Sequence, residues 1–270
     1  LEPRLQGFQG VVRMLTAAEL GALLHPPLRA LVLESVDSTN TALMRMAATG
    51  AAEGTVLLAQ AQTAGRGQRG RDFYSPAGCG LYMSLLLRPK MPPEDVLAIT
   101  PAAAVAAAQA VEAATGRRAG IKWVNDIQID GKKVCGILTE AASSSGTLDC
   151  AVCGIGINLF PPLGGYPEAL RDRAGALFDA YPGDERTAAL AADVLNRLWE
   201  LCSLLPARDF LDEYRARSVL TGRSVTVNGR GEGVVEGIDR DFSLLIRFGN
   251  GETTALRSAS ELKPELIHKK

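Results

Sequence analysis

The chain has 270 residues, of which 47% are hydrophobic and 22% are charged, and its formal net charge is -1. This length suffices for one large core plus a smaller second unit, and the composition is typical of a globular protein. The near-zero charge excludes a protein whose whole surface serves nucleic acid or anionic membrane, and leaves room for a local basic site.

Cysteines and histidines are few. The five cysteines lie in apolar or strand-like runs and follow no secretory-leader pattern, so we expect reduced, buried thiols and a cytoplasmic location. Cys150 and Cys153 are expected on opposite faces of one strand. His25 and His268 are not placed like general bases, so triad hydrolysis and H-E-x-x-H zinc chemistry lack their parts. No apolar run approaches the roughly 18 residues of a membrane span, so no membrane partner is expected.

The first half of the chain predicts alternating helices and strands. An irregular lead precedes an amphipathic helix, "TAAELGALL", and "RALVLESV" then predicts a strand. A helix follows with Asp37 or Ser38 as its cap and Gly50 as its end. Two more strands are predicted over "GTVLLAQAQT" and "LYMSLLLRP". The alanine-rich stretch after them predicts a helix capped by Thr100 and ended by Gly116.

A β-hairpin is predicted over residues 121–141. A two-residue turn at Asp130-Gly131 pairs Asp126 with Cys135. One face of the hairpin then carries Asp126, Gln128, Lys133 and Cys135. Asp126 and Lys133 become diagonal neighbours, with α-carbons roughly 7–8 Å apart.

The remaining elements indicate a second, smaller unit. "LDCAVCGIGINLF" predicts a strand that ends at Asn158, and residues 187–217 predict two helices broken near Pro206. After Ser218 the sequence changes to short strand-like pieces separated by Gly, Asn and Asp, with Asn250-Gly251 as a hairpin turn. Such a run of about 50 residues predicts a small β-barrel.

A glycine- and arginine-rich stretch, residues 65–71, follows the predicted strand "GTVLLAQAQT". It is called the arginine loop below. Its sequence, "GRGQRGR", has the G-x-G-x-x-G spacing of dinucleotide-binding loops. A Rossmann fingerprint must open a helix, whereas "DFYSPAGCG" follows here. A P-loop requires Lys-Ser/Thr after its last glycine, and the D-F-G set of kinases is absent from the sequence. The loop is therefore predicted to be a cationic anion-binding loop of another kind.

Five short blocks occur in a characteristic order and at characteristic intervals. They are "DSTN" at 37–40, "GRGQRGR" at 65–71, "KWVND" at 122–126, "GKKVCGIL" at 131–138 and "GIGINL" at 154–159. Together they resemble bacterial biotin protein ligase, and the resemblance covers nearly the whole chain from about residue 30. It implies a mixed-sheet α/β (α+β) catalytic domain, class II synthetase-like, with a C-terminal SH3-like β-barrel.

The resemblance also implies an activity and a domain organisation. Such enzymes join biotin to ATP with Mg²⁺, giving biotinyl-5′-AMP and pyrophosphate, and then biotinylate one lysine of a carboxylase carrier domain. The implied units are an N-terminal lead at 1–30, which resembles the remnant of a winged helix, a catalytic domain at 31–217 and an SH3-like domain at 218–270. A homodimer stays open, since relatives often dimerise by extending the central sheet.

Roles for individual residues are carried over from the family motifs. Catalysis is assigned to Lys133, Arg66 and Asp126, and Asp126 is expected to receive or orient the carrier lysine. Biotin is assigned to Ser38, Thr39, Asn40, Gln62, Arg66, Gly67, Gln68, Lys133 and Gly136. The ATP and adenylate side is assigned to Arg69, Arg71, Phe73, Lys122, Asn125 and Asn158. No protein side chain is assigned as a metal ligand.

The chain departs from the family pattern at two positions, and two alternatives stay open. Gln68 stands where the family usually has Arg, so we expect weaker retention of the adenylate, and Val124 stands where it usually has Pro. Lipoate-protein ligase shares the fold and the adenylate chemistry. A bifunctional ligase and biotin-operon repressor would bind DNA through an N-terminal domain missing here, which the start at Leu1 rather than Met permits.

Overall fold

The computed structural model describes residues 15–144 and 147–263. Its α-helices are α1 (Ala17–Gly21), α2 (Thr39–Ala48), α3 (Ile99–Thr115), α4 (Glu168–Arg171), α5 (Asp184–Ser203) and α6 (Leu211–Ala216). The strands of the large sheet are β1 (Arg29–Val36), β2 (Thr55–Gln62), β3 (Gly80–Leu87), β4 (Gly120–Lys122), β5 (Asp126–Ile129), β6 (Lys132–Ser144) and β7 (Thr147–Asn158). A smaller sheet contains β8 (Ser224–Val227), β9 (Gly231–Ile238), β10 (Leu244–Phe248) and β11 (Thr253–Leu256).

The large sheet is mixed and has the strand order β1-β2-β3-β7-β6-β5-β4. β1 and β2 are parallel, and the other neighbouring strands are antiparallel. Strands distant in sequence therefore meet at the centre, where β7 lies between β3 and β6. The predicted mixed α/β fold is confirmed.

The two faces of the large sheet differ in what covers them. Helix α3 packs against β6, β7 and α5 on one face, and its segment Ala102–Ala108 is at most 1% exposed. Alanines allow this close approach because they have no bulk beyond Cβ. α2 packs on the opposite face, against β2, β3 and β7.

The prediction about apolar runs was wrong in one respect. Pro93–Thr115 is long and apolar enough to cross a membrane by length and composition. Most of it is buried against the sheet and α5, so it is the core helix of the folded domain.

The start of α3 also differs from its prediction. Thr100 does not cap the helix: α3 begins at Ile99, directly after a 3₁₀ turn over Pro93–Ala98. The Thr100 hydroxyl donates instead to Thr139 Oγ1 on β6, at 2.8 Å. The preceding turn already satisfies the first amides of the helix, so no side-chain cap is required. Gly116 ends α3 in the left-handed conformation, as predicted.

The smaller sheet is antiparallel, with the strand order β11-β10-β9-β8, consistent with an SH3-like unit. It is joined to the large sheet by specific bonds. The indole of Trp123, between β4 and β5, donates to the Phe242 carbonyl at 2.7 Å. Arg208 pairs with Asp95 at 2.7 Å and with Asp241 at 2.5 Å. The Trp123 bond fixes the segment that carries Asn125 and Asp126 against the smaller sheet.

All five cysteines are free thiols. Four of them are buried, and burial raises the pKa of Cys153 to about 12. Cys150 and Cys153 point to opposite faces of the large sheet, as predicted, because each belongs to a different apolar cluster. His268 and residues 4–12, which carry the resemblance to a wing, lie outside the described residues.

The thiols should react slowly in the folded protein. Reagents such as DTNB attack the thiolate. Burial hinders their access to four of the thiols, and the raised pKa of Cys135 and of Cys153 disfavours their thiolates at pH 8. We expect the folded protein to release far less thionitrobenzoate than the five equivalents expected in guanidinium chloride. Rapid release of all five equivalents from the folded protein would contradict the burial.

Candidate active site

A cleft opens on the face of the large sheet that carries α2. Its free space is about 430 Å³, counted to the open mouth. Its floor is formed by β6 and β7, and its rim by the start of α2, the arginine loop and Asn125. The lining residues are Ser38, Thr39, Asn40, Gln62, Arg66, Gly67, Gln68, Phe73, Tyr82, Asn125, Lys133, Gly136, Ile137, Leu138, Gly154, Ile155 and Gly156.

The closed end of the cleft is polar and buried. Ser38 is the N-cap of α2, and the next two residues are its first helical positions. Thr39 donates through its backbone N and Oγ1 to Gln62 Oε1, at 2.9 and 3.2 Å. Asn40 Nδ2 donates to the Leu138 carbonyl and to Glu140 Oε2, both at 3.0 Å. This end can match a neutral ligand rich in hydrogen-bonding groups.

Glycines on β6 and β7 make room for these side chains. A Cβ at Gly154 would lie 2.1 Å from Asn40 Oδ1, and one at Gly156 would lie 2.4 Å from the Phe73 ring. A Cβ at Gly136 would lie 2.8 Å from Lys133 Nζ and 2.9 Å from Phe73. A side chain at any of these three positions would therefore force Asn40, Phe73 or Lys133 to shift.

Lys133 and Asp126 form an ion pair beside the cleft. Lys133 Nζ lies 2.6 Å from Asp126 Oδ1 and 5.6 Å from the centre of the Phe73 ring. Both side chains are partly exposed, at 33% and 26%. The predicted proximity of the two residues is thus present, and it puts an ammonium and a carboxylate within reach of a bound ligand.

The predicted turn of their hairpin is correct, but the predicted pairing of its strands is wrong by one residue. Asp130 and Gly131 form the turn with positive φ values of 50° and 77°, as expected of a two-residue primed turn. A bulge next to Ile127 then shifts the pairing by one residue, so that Asp126 pairs with Gly136 and not with Cys135. Cys135 consequently points into the apolar core instead of sharing the face of Lys133.

The arginine loop lies over the cleft and is followed by extended chain and β3, without an intervening helix. Gly67 N donates to the Arg71 carbonyl at 2.7 Å, and Phe73 N donates to the Gly65 carbonyl at 2.8 Å. Arg66 Nη2 pairs with Glu140 Oε1 at 2.9 Å. Desolvation lowers the pKa of Arg69, and the positive charge of the neighbouring Arg71 lowers it further. Of the arginines in the loop, Arg66 is the one that lines the cleft, so the loop brings its guanidinium to the rim.

The structure brings most of the predicted site residues together and leaves some apart. Lining the cleft are Ser38, Thr39, Asn40, Gln62, Arg66, Gly67, Gln68, Phe73, Asn125, Lys133 and Gly136. Asp126 joins them through Lys133. Four predicted residues do not line it: Arg69, Arg71, Lys122 and Asn158. Asn158 Nδ2 instead donates to the Gly175 carbonyl at 2.9 Å and fastens the segment beside Lys133.

Two side chains that hydrogen-bond to Asn40 were not predicted as part of the site. Glu140 accepts from Asn40 and pairs with Arg66. Ser84, fully buried on β3, donates to Asn40 Oδ1 at 2.7 Å, and its Oγ lies 2.8 Å from Thr39 Oγ1. A serine inside the apolar run "LYMSLLL" was the signal that could have revealed Ser84, because a buried hydroxyl requires partners.

This cleft combines a buried polar end with the cationic side chains of Arg66 and Lys133, an arrangement suited to a ligand with neutral polar groups and an anionic group. The profile of the biotin/lipoate A/B protein ligase family matches residues 32–158. A bifunctional ligase/repressor BirA of Bacillus spizizenii is 35% identical over 227 residues, which span 80% of this chain and 68% of that protein. The chain belongs to the biotin/lipoate A/B protein ligase family.

Two further comparisons agree with this assignment. The biotin--[acetyl-CoA-carboxylase] ligase of Paracoccus denitrificans is 32% identical over 231 residues, covering 80% of this chain and 93% of that one. The structure of biotin protein ligase from Aquifex aeolicus in complex with biotin and ATP has a TM-score of 0.70 at 28% identity. It covers 87% of this chain and 97% of that chain.

Proposed function

We propose that this protein is an ATP-dependent biotin protein ligase. It activates biotin to biotinyl-5′-AMP with release of pyrophosphate, and then transfers the biotinyl group to a lysine of a biotin carboxyl carrier domain. The observation that carries the proposal is the placement of Lys133 at 2.6 Å from Asp126, in the same cleft as the polar end formed by Ser38, Thr39, Asn40 and Gln62.

In the first step, a biotin carboxylate oxygen attacks the α-phosphorus of ATP. The bond from that phosphorus to the oxygen bridging to the β-phosphate breaks, and pyrophosphate leaves. The carboxylate and the phosphate repel each other unless fixed cations lie between them. Lys133 and Arg66 supply such cations, and the polar end of the cleft holds the ureido ring. Phe73 offers an aromatic face beside Lys133 for the adenine or the biotin tail.

In the second step, the amine of the carrier lysine attacks the acyl carbon. The bond between that carbon and the phosphate oxygen breaks, AMP leaves, and the amine loses a proton. We assign Asp126 to receive or orient this amine, and its position beside Lys133 and its partial exposure support the assignment. The incoming lysine would displace Lys133 from Asp126 or share the carboxylate with it.

Magnesium would enter with the nucleotide. Within residues 15–144 and 147–263, no group of three or more His, Cys, Asp or Glu side chains is placed to hold a metal ion. Mg²⁺ that accompanies ATP is held mainly by the substrate phosphates and water, which reduces the need for a protein cage.

Several predictions about partners and organisation remain part of this proposal. A carrier domain of acetyl-CoA carboxylase or another biotin-dependent carboxylase is the expected acceptor, and the cytoplasm is the expected location. The division into residues 31–217 and 218–270 is supported by two separate sheets. A homodimer is to be tested by light scattering, and DNA binding by an operator-binding assay on the full-length gene product.

The decisive experiment is biotin-dependent exchange of labelled pyrophosphate into ATP. We expect exchange with biotin and Mg²⁺, none without biotin, and little with lipoate. Transfer is then followed by mass increase of an isolated carrier domain, with a carrier whose acceptor lysine is changed to arginine as the control. Lipoate-dependent exchange without biotin-dependent exchange would overturn the proposal.

A further inference from the structure

A continuous chain of hydrogen bonds crosses the closed end of the cleft and meets the arginine loop region at both ends. In order, its members are Arg66, Glu140, Asn40, Ser84, Thr39, Gln62, Ser75 and Phe73. Arg66 belongs to the loop, and Phe73 follows it by two residues and donates its amide to Gly65, the first loop residue. The side chains that form the pocket therefore also hold the loop.

The first half of this chain of hydrogen bonds joins the arginine loop to the buried amide of Asn40. Arg66 pairs with one oxygen of Glu140 at 2.9 Å, and Asn40 Nδ2 donates to the other oxygen at 3.0 Å. Asn40 Nδ2 also donates to the Leu138 carbonyl, so both of its protons are used. Asn40 Oδ1 accepts from Ser84 at 2.7 Å. The orientation of the amide is fixed, because its oxygen cannot face two acceptors.

The second half joins Ser84 to the far end of the loop. Ser84 Oγ lies 2.8 Å from Thr39 Oγ1, and the backbone amide of Thr39 donates to Gln62 Oε1 at 2.9 Å. Gln62 Nε2 donates to Ser75 Oγ at 2.9 Å, and Ser75 donates to the Phe73 carbonyl at 2.8 Å. Each member is hydrogen-bonded to the next, from the pocket to the polypeptide segment that follows the arginine loop.

Ser84 is the member on which both halves depend. Its hydroxyl has one proton, and the structure places two acceptors within 2.8 Å of it. Asn40 Oδ1 and Gln62 Oε1 can only accept hydrogen bonds. The hydroxyl protons of Ser84 and Thr39 are therefore the two that serve the three contacts Asn40–Ser84, Ser84–Thr39 and Thr39–Gln62. Ser84 is 0% exposed and does not line the cleft, so it reaches a ligand only through its two partners.

We infer that Ser84 is a positioning residue, which preorganises Thr39 and Asn40 for the ligand and couples the pocket to the arginine loop. The part of this inference that concerns biotin rests on the proposed function. The register of the sheet supports it, because Ser84 pairs with Gly154, whose missing side chain leaves the space that Asn40 occupies.

The test is Ser84→Ala, measured by pyrophosphate exchange and by limited proteolysis. The variant lacks the Ser84 hydroxyl, which is the hydrogen-bond donor between Thr39 and Asn40. A buried acceptor is then left without a partner. We expect the KM for biotin to rise about 10-fold to 100-fold, while kcat at saturating biotin and the KM for ATP change little. Without any ligand, trypsin should cleave after Arg69 faster in the variant, because the chain that holds both ends of the loop is interrupted.

Thr139→Val is the matched control. Thr139 lies on β6 and accepts a hydrogen bond from Thr100 at 2.8 Å, on the sheet face covered by α3. This variant also loses a partly buried hydroxyl pair, but outside the chain described above. We expect it to keep the wild-type KM for biotin and the wild-type rate of cleavage after Arg69.

The outcomes separate a positioning role from a merely structural one. A lower melting temperature in both variants, with an unchanged biotin KM and an unchanged rate of loop cleavage in Ser84→Ala, would overturn the inference. Ser84→Cys retains a weaker donor of similar size, so it should give intermediate values, and it serves as the test if Ser84→Ala does not fold. If the wild-type protein shows no biotin-dependent exchange, the proposed function fails, whereas faster ligand-free loop cleavage in Ser84→Ala still supports the coupling.

Discussion

Replacing Lys133 by Gln is expected to lower the rate of biotinyl-adenylate formation by about 10²–10³-fold, the usual effect of removing one preorganised electrostatic contact from a transition state. Lys133 Nζ is the ammonium that lies inside the cleft, 2.6 Å from Asp126 and 5.6 Å from the centre of the Phe73 ring. Glutamine keeps a hydrogen-bond donor but carries no charge. The carboxylate and the α-phosphate would then approach each other with one cation fewer.

Single-turnover formation of labelled adenylate measures this step directly, and biotin affinity in the absence of ATP is measured beside it. The matched control is Lys132→Gln, since Lys132 is the preceding residue of β6 but is exposed and does not line the cleft. We expect adenylate formation in the control to stay close to the wild-type rate. A Lys133→Gln enzyme with unchanged single-turnover kinetics would remove Lys133 from the chemistry.

The elements that the sequence predicted correctly are those with strong local signals. β1 was predicted from its apolar run, and α2 from a Ser cap followed by a helical pattern. The turn at Asp130-Gly131 adopts the positive φ values that this dipeptide favours. In each case neighbouring residues determine the conformation, so the sequence is sufficient.

The errors arose where distant residues determine the result. The bulge next to Ile127 has no local signal, and it moves Cys135 into the core. Thr100 has the chemistry of a cap, yet its hydroxyl bonds to Thr139 on β6 because the helix packs against that strand. The length of Pro93–Thr115 fits a membrane span as well as a core helix, and only the packing of α3 against β6, β7 and α5 decides between them.

The candidate site shows the same division. Motif blocks predicted most of the residues that line the cleft, because the family pattern preserves their types and spacing. Ser84 and Glu140 have no such motif: their importance comes from contacts with Asn40, which is 44 residues before Ser84 and 100 residues before Glu140. The effect of a side chain at position 154 is likewise invisible in the sequence. It depends on Asn40 of α2, which only the fold brings against this position.

Gly154→Ala should therefore remove most biotin binding. A Cβ at this position would lie 2.1 Å from Asn40 Oδ1 and 2.8 Å from Asn40 Cγ, much closer than real Cβ contacts allow. Asn40 is 3% exposed and starts a helix packed on the sheet, so it can move only by breaking its hydrogen bonds to Ser84, Leu138 and Glu140. Three bonds of about 1 kcal/mol each correspond to about 3 kcal/mol of folding stability, and a displaced Asn40 no longer shapes the pocket, so we expect biotin affinity to fall by more than about 100-fold.

Gly237→Ala is the matched control, because Gly237 also lies in a strand and a Cβ there would meet nothing within 4 Å. Titration calorimetry with biotin and thermal unfolding should be measured on both variants. We expect the control to bind biotin like the wild-type protein. For Gly154→Ala, we expect weak or absent binding together with a lower melting temperature, since overpacking a buried site costs about 1–3 kcal/mol. A variant that binds biotin normally would show that Asn40 is free to leave the floor of the cleft, and that its buried hydrogen bonds do not form the pocket.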